Sequence, residues 1–314
     1  MNWLLLSLCA LVVLLALDAT LGRWLLGRFS TTFRVTQQSG DAPESKRLLV
    51  YLPGILFDGD ESVAEVKGAM MESVANGLFV SYGFWRFLSR KVILGTAAVI
   101  GHAPGEGSRQ QHTSIVLVGA SFGGRLAADV VLELQTRYGW NASAITVVMV
   151  DTPCENNSFQ QPGLTVSLIV RRLFFGPLVS SIAAPLVKRT MVPPYDVDIE
   201  AGLDFASVKR KAVDRMAKFR LSSVADQQRY LADNSIQWTL GLTGIDVVYL
   251  WCDHNNITVV QPAAMRKVEL FTKGKVNHFA WRVVPSPHCG FGQLPTLWQS
   301  AFREVLSGVP QRRI

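Results

Sequence analysis

The stretch Thr113 to Leu126, TSIVLVGASFGGRL, constrains the chain more than any other. A short apolar run rich in β-branched residues, Ser114 to Val118, meets Gly119-Ala120-Ser121-Phe122-Gly123-Gly124, and a helical pattern follows from Arg125 to Tyr138. A serine on so sharp a strand-to-helix turn is held at a strained backbone angle, and only small neighbours let strand and helix approach closely. The flanking glycines supply that clearance. The turn lifts the Ser121 hydroxyl out of the end of a sheet and aims the next amide, that of Phe122, at whatever the hydroxyl attacks. Half of an oxyanion hole is expected there. The pattern also fits an ordinary glycine-rich turn, so the neighbouring elements decide.

Those elements alternate. Strands are expected over Arg47 to Leu52, Leu78 to Tyr82, Ser114 to Val118 and Ala144 to Val150, and helices over Glu61 to Ala75, Phe87 to Ile100 and Arg125 to Tyr138. The strands are apolar throughout rather than alternating, which implies an α/β fold with a mostly parallel central sheet and helices on both faces. With 314 residues, 49% of them hydrophobic, the chain can bury a large core. Residues 35–46 are polar and turn-rich and read as a linker or an edge hairpin. Residues 154–244 break the rhythm with helical and irregular character, the signature of an inserted cap. The rhythm then resumes with strands over Ile245 to Trp251 and Phe279 to Val284, and helices over Pro262 to Phe271 and Pro295 to Leu306. The expected organisation is an anchor and collar (1–34), a first core part (35–153), the cap (154–244) and a second core part (245–314).

From Trp3 to Leu17 there is no charge; Asp18 interrupts, and apolar character resumes through Leu21, near the length of a bilayer-spanning helix. No Lys or Arg precedes the run, as one would before the apolar core of a cleaved signal, so an anchor is expected. Arg23, Arg28, Arg34, Lys46 and Arg47 all follow it, which by the positive-inside rule puts the N-terminus outside and the rest of the chain in the cytoplasm. Leu164 to Val187 is apolar too, but Arg171 and Arg172 near its middle would each cost about 2.5–3.5 kcal/mol at a bilayer centre. A lid lying on a membrane or a greasy substrate fits that stretch better. The net charge of +7 suits an anionic surface. The basic residues are not interleaved with aromatics in any nucleic-acid-reading pattern, so a nucleic-acid partner is not expected. From Val208 to Arg220 six Lys and Arg residues lie among apolar ones, fitting a solvated face or contact with anionic headgroups.

Cys9, Cys154, Cys252 and Cys289 have no metal-ligand spacing, and GHAPGEGS in the loop from His102 to Gln111 lacks the lysine of a phosphate-binding loop. No metal or cofactor is implied. Cys252 and Cys289 adjoin candidate site residues and are expected as reduced, apolar fillers that come near one another.

A serine hydroxyl needs a base within hydrogen-bond reach and a carboxylate to orient that base. Strand ends of a parallel sheet share one edge, where residues distant in sequence converge. His288 sits where a late strand gives way to a loop, and is the candidate base. The turn Pro53-Gly54-Ile55 at the end of an earlier strand offers a second oxyanion amide, that of Ile55 first and Leu56 next. Gly-Ala-Ser121-Phe-Gly between strand and helix, Leu-Pro-Gly54-Ile55, a cap after the fourth strand, and Pro-His288-Cys-Gly-Phe near the end resemble the α/β-hydrolase superfamily over residues 47–308. The resemblance implies a serine hydrolase acting on an acyl ester, apolar or lipid-like, with Ser121 as nucleophile, His288 as base, and Phe122 with Ile55 holding the oxyanion. It also implies an acid in the loop Cys252-Asp253-His254-Asn255, where Asn255 stands at the family's aspartate and Asp253 at the earlier acidic position. Asp253 is the first expectation for the acid; Asp151, at the preceding strand's end, is the alternative, as in some family members. With neither, the fold would serve as a silent scaffold; with an alcohol in place of water, the same acyl-enzyme would transfer its acyl group.

Overall fold

The computed structural model describes residues 2–22, 24, 33–54, 59–60, 63–83, 87–101, 112–153, 199–218 (215–218 as backbone), 223, 226–227, 230–231, 242–254, 269 and 274–308. Helix α1 (Asn2–Leu17) continues into a π-helical turn, Asp18–Gly22. Together, Trp3–Leu21 is the single helix among the described residues long and apolar enough to cross a membrane, with a mean hydropathy of 2.5 and none of it buried against the chain.

The core then runs β1 (Phe33–Ser39), β2 (Arg47–Leu52), α2 (Lys67–Met71), β3 (Asn76–Tyr82), α3 (Ser89–Gly101), β4 (Ser114–Ala120), α4 (Phe122–Tyr138), β5 (Ile145–Val150), α5 (Phe205–Lys218), β6 (Asp246–Cys252), β7 (His278–Val284) and α6 (Pro295–Gly308). One seven-stranded sheet has the order β1-β3-β2-β4-β5-β6-β7. Only β1 is antiparallel, against β3; every other pair is parallel. The most deeply buried strands lie at the middle of the sheet: β2 and β5 are buried at every position and β4, between them, at all but its first. Their side chains feed two cores. On one face Val50, Leu117 and Val147 pack with α3 and α4; on the other Leu49, Val116 and Val148 pack with Met70 of α2 and Trp298 and Phe302 of α6. The doubly covered parallel sheet expected from the strand composition is thus the sheet observed. From β2 the chain adds β3 on one side and β4 on the other, so the C-terminal ends of β2 and β4 flank a topological switch point, where α/β sheets bind ligands.

Local departures have identifiable causes. The helix expected over Glu61 to Ala75 contracts to Lys67–Met71, after turns at 63–66. Val63, Val66 and Val74 are buried as the spacing required, but as β-branched residues they resist a longer helix. The carbonyls of Met71, Val74 and Ala75 accept instead from the amides of Asp41, Ala42 and Gly40. Asn76-Gly77, just past the expected helix, opens β3. The polar stretch after residue 34 is in part an edge strand, β1. Helix α5 begins at Phe205, where the Asp204 carboxylate accepts from the amides of Ala206 and Ser207, each at 3.1 Å. Most of the expected cap, including Leu164 to Val187, lies outside the described residues, as does the expected helix Pro262 to Phe271 apart from Glu269.

Two glycines let α4 start against the sheet. A Cβ on Gly123 would run into the backbone carbonyls of Leu52 and Pro53, and one on Gly119 into the first turn of α4. Gly68 in α2 faces open space. Gly123→Ala is therefore expected to destabilise the fold by about 1–3 kcal/mol, whereas Gly68→Ala should stabilise it by about 0.5–1 kcal/mol. Denaturant titration of the detergent-solubilised chain checks both signs.

Candidate active site

Three successive strand ends at the C-terminal edge, those of β4, β5 and β6, hook onto the next strand. The Ser121 amide, just past β4, donates to the Val150 carbonyl of β5 at 2.6 Å; the Asp151 amide, just past β5, donates to Leu250 of β6 at 2.7 Å; the Asp253 amide, just past β6, donates to Val284 of β7 at 3.2 Å. Ser121 and Asp151 both take the left-handed backbone region at φ 49°. For residues with a Cβ that conformation is strained, and it turns each side chain off its strand. Ser121 stands at the N-cap position of α4, its carbonyl accepting from the Gly124 amide at 3.1 Å, and the first turn of the helix carries the positive end of its dipole.

His288 arrives on the loop after β7 and bridges the two. Its Nε2 lies 2.9 Å from Ser121 Oγ, and its Nδ1 is hydrogen-bonded to Asp151 Oδ2. A carboxylate can only accept, so Nδ1 carries the proton and Nε2 presents its lone pair to the serine hydroxyl. Ser121 and the His288 side chain are each 8% exposed, and Asp151 is wholly buried. The hydroxyl is thus reachable while the acid is sealed beneath it. The second carboxylate oxygen of Asp151 accepts from the Cys252 amide at 3.5 Å. The segment 151–153 is clamped from two sides, because the Tyr249 hydroxyl donates to the Thr152 carbonyl and Arg125 Nη1 to the Pro153 carbonyl at 3.4 Å.

The structure thus brings together Ser121, His288 and the alternative acid. Asp253, the first expectation, is two strands away from Ser121 in sheet order; its carboxylate is 37% exposed and sits 3.8 Å from His254. The carboxylate against His288 is that of Asp151 and not that of Asp253, the first expectation. The physical reason is adjacency: β5 is hydrogen-bonded to β4, so its first residue past the strand stands beside the serine turn, whereas the end of β6 is one strand further out. Ile55 and Asn255 lie outside the described residues. The turn before Ile55 is anchored, with the Pro53 carbonyl accepting from Tyr82 Oη at 2.9 Å. Phe122 follows the serine, its ring packed edge-on by Phe87 at 5.2 Å, Tyr230 at 5.4 Å and Tyr82 at 5.9 Å.

Cys252 and Cys289 are free, buried and close to one another beside Asp151, as their places in the sequence suggested. Burial first, and the Asp151 carboxylate second, push both thiols well above their usual range. Sequence reading did not single out Ser286 and Trp298, whose buried side chains bond to one another at 2.9 Å under the His288 loop. A serine two residues before the histidine and a tryptophan on the buried face of the last helix were the available signals.

No family model matches the sequence, and no curated protein matches it. Solved structures do match in shape. An esterase from a Rhodococcus species superposes with a TM-score of 0.58 at 15% identity, covering 90% of this chain and 98% of its own. A carboxylesterase of the ammonia-oxidizing thaumarchaeon Nitrososphaera gargenis gives 0.60 at 12% identity, with 88% and 94% covered. The enol-lactonase of Burkholderia xenovorans gives 0.59 at 11% identity, with 88% and 96% covered. The chain has the α/β-hydrolase fold.

The thiolate is the reactive form of cysteine, and both site thiols are held protonated and buried. A maleimide at neutral pH should therefore leave Cys252 and Cys289 unmodified in the folded protein and modify both after denaturation, as peptide mass mapping would show.

Proposed function

We propose that the chain is a serine hydrolase that cleaves an acyl ester through Ser121, His288 and Asp151. The observation that carries this reading is the single imidazole bonded to the serine hydroxyl at 2.9 Å on one side and to a buried carboxylate on the other. Ser121 Oγ attacks the acyl carbon while His288 Nε2 takes its proton. Asp151 stays ionised, holds the ring in the reacting tautomer and stabilises the imidazolium. The negative charge that develops on the substrate oxygen falls to the Phe122 amide at the start of α4, with the Ile55 amide as the partner the sequence suggests. Collapse of the tetrahedral intermediate expels the alcohol, which takes the proton from Nε2. Water then repeats the sequence on the acyl-enzyme and frees the acid. The scaffold alternative rested on the asparagine at position 255; with Asp151 beside His288, the loop after β6 need not supply the acid.

The proposed substrate is an apolar or lipid-like ester. The support is the helix Trp3–Leu21, unburied and apolar enough to hold the domain at a membrane, with the arginines after it favouring a cytoplasmic domain.

Labelling by a fluorophosphonate probe, together with turnover of a p-nitrophenyl ester, tests the reading. Wild type should be labelled and Ser121→Ala should not. Asp151→Asn should lower kcat by roughly 10⁴-fold, because an amide favours the wrong tautomer. Asp253→Asn should stay within about twofold of wild type, as expected for an exposed side chain away from the reacting atoms. An Asp253→Asn variant as damaged as Asp151→Asn would reject this assignment, and a wild type that resists the probe would reject the hydrolase.

A further inference from the structure

His288 has the longest reach of the three groups. It leaves β7 and must come back over β6 and β5 to Ser121 at the end of β4, three strand spacings of about 4.8 Å each. A base displaced by 1 Å loses much of its rate, so something must fix that loop. The loop fixes itself in part. The Ser286 amide donates to the Val284 carbonyl at 2.8 Å, the Gly290 amide to Pro287 at 3.0 Å, and the Phe291 amide to Cys289 at 2.7 Å, with Cys289 in the left-handed region at φ 48°.

Cys289 Sγ lies 3.8 Å from the Val150 carbonyl of β5, and a second contact from outside the loop comes from the last helix. Trp298 is wholly buried, stacked edge-on to Phe291 at 4.8 Å and tilted against Phe302 at 5.7 Å. Its one polar atom, Nε1, donates to Ser286 Oγ at 2.9 Å, and that hydroxyl donates in turn to the Pro287 carbonyl at 2.9 Å. Ser286 is itself wholly buried. A buried indole N–H without an acceptor carries its full desolvation penalty, so the loop conformation that offers Ser286 Oγ is the one this core favours. That conformation puts His288, two residues on, between Asp151 and Ser121.

We propose that Trp298 is a positioning residue for the base, acting through Ser286 and the Pro287 carbonyl. The proposal rests on the hydrolase reading for its effect on rate, but its geometric content can be read without turnover.

The test uses the detergent-solubilised full chain with Trp298→Phe, which keeps the stacking and deletes the N–H, Ser286→Ala, which deletes the acceptor, and the double variant. One readout is steady-state hydrolysis of p-nitrophenyl butyrate. The other is the downfield proton resonance of the His288 Nδ1–H bonded to Asp151, assigned by its loss in Asp151→Asn. Each single variant should lower kcat by about ten- to a hundredfold with KM nearly unchanged, and the double variant should lose no more than the worse single, as for two members of one chain of bonds. The downfield resonance should weaken in all three. Should Trp298→Phe fail to fold, Ser286→Ala alone carries the same test. Unchanged kcat and resonance, losses that multiply in the double variant, or a rise in KM at constant kcat would each overturn the proposal. A wild type that turns over no ester but whose resonance weakens in the variants would sink the hydrolase and leave the positioning role standing.

Discussion

A parallel sheet buried on both faces can expose polar groups only along its two edges and its two ends, and here chemistry collects at one end because each strand terminus is tied to the next. The amides of Ser121, Asp151 and Asp253 each donate to a carbonyl near the end of the neighbouring strand, to Val150, Leu250 and Val284. These bonds continue the ladder one residue beyond the strands, where the chain has already begun to turn. They satisfy amides that would otherwise be buried without a partner, and in doing so they set Ser121 and Asp151 side by side before any side chain contact is made. The imidazole of His288 then has a gap of fixed width to fill.

That placement uses strained backbone. Among the described residues the positive φ values outside glycine are those of Ser121, Asp151 and Cys289, and all three belong to this site. Each costs roughly 1–3 kcal/mol, which a core of wholly buried strands such as β2 and β5 can offset. The strain has a direction. It turns the serine and aspartate side chains out of the plane in which the strands would have left them, and it lets the loop reverse just after His288.

Much of this could be read from residues. The glycines around Ser121, the apolar character of the strands and the position of His288 before the last helix point to the fold and to the proposed nucleophile and base, because each depends on local sterics or local periodicity. The acid could not be fixed in that way. Asp151 and Asp253 both end apolar strands and both precede loops, and choosing between them requires the lateral order of the strands, which no local pattern encodes. Once β5 is known to lie against β4, Asp151 is the neighbour and Asp253 is not. The short helix α2 was overestimated for a related reason: the spacing of Val63, Val66 and Val74 reports burial, which a turn bonded to the segment 40–42 achieves as well as a helix.

Burial of Asp151 makes the site's electrostatics one-sided. A carboxylate taken wholly out of water must find donors, and Asp151 accepts from His288 Nδ1–H and from the Cys252 amide. The Cys252 and Cys289 thiols beside it add no second negative charge, since the same burial and the same carboxylate hold them protonated. In a low-dielectric setting an ionised neighbour would compete for the imidazolium and blunt its pairing with Asp151. Neutral sulfur fills the space without doing so. The Asp151 carboxylate thus meets the ring that faces Ser121 with no second charge added by the two thiols.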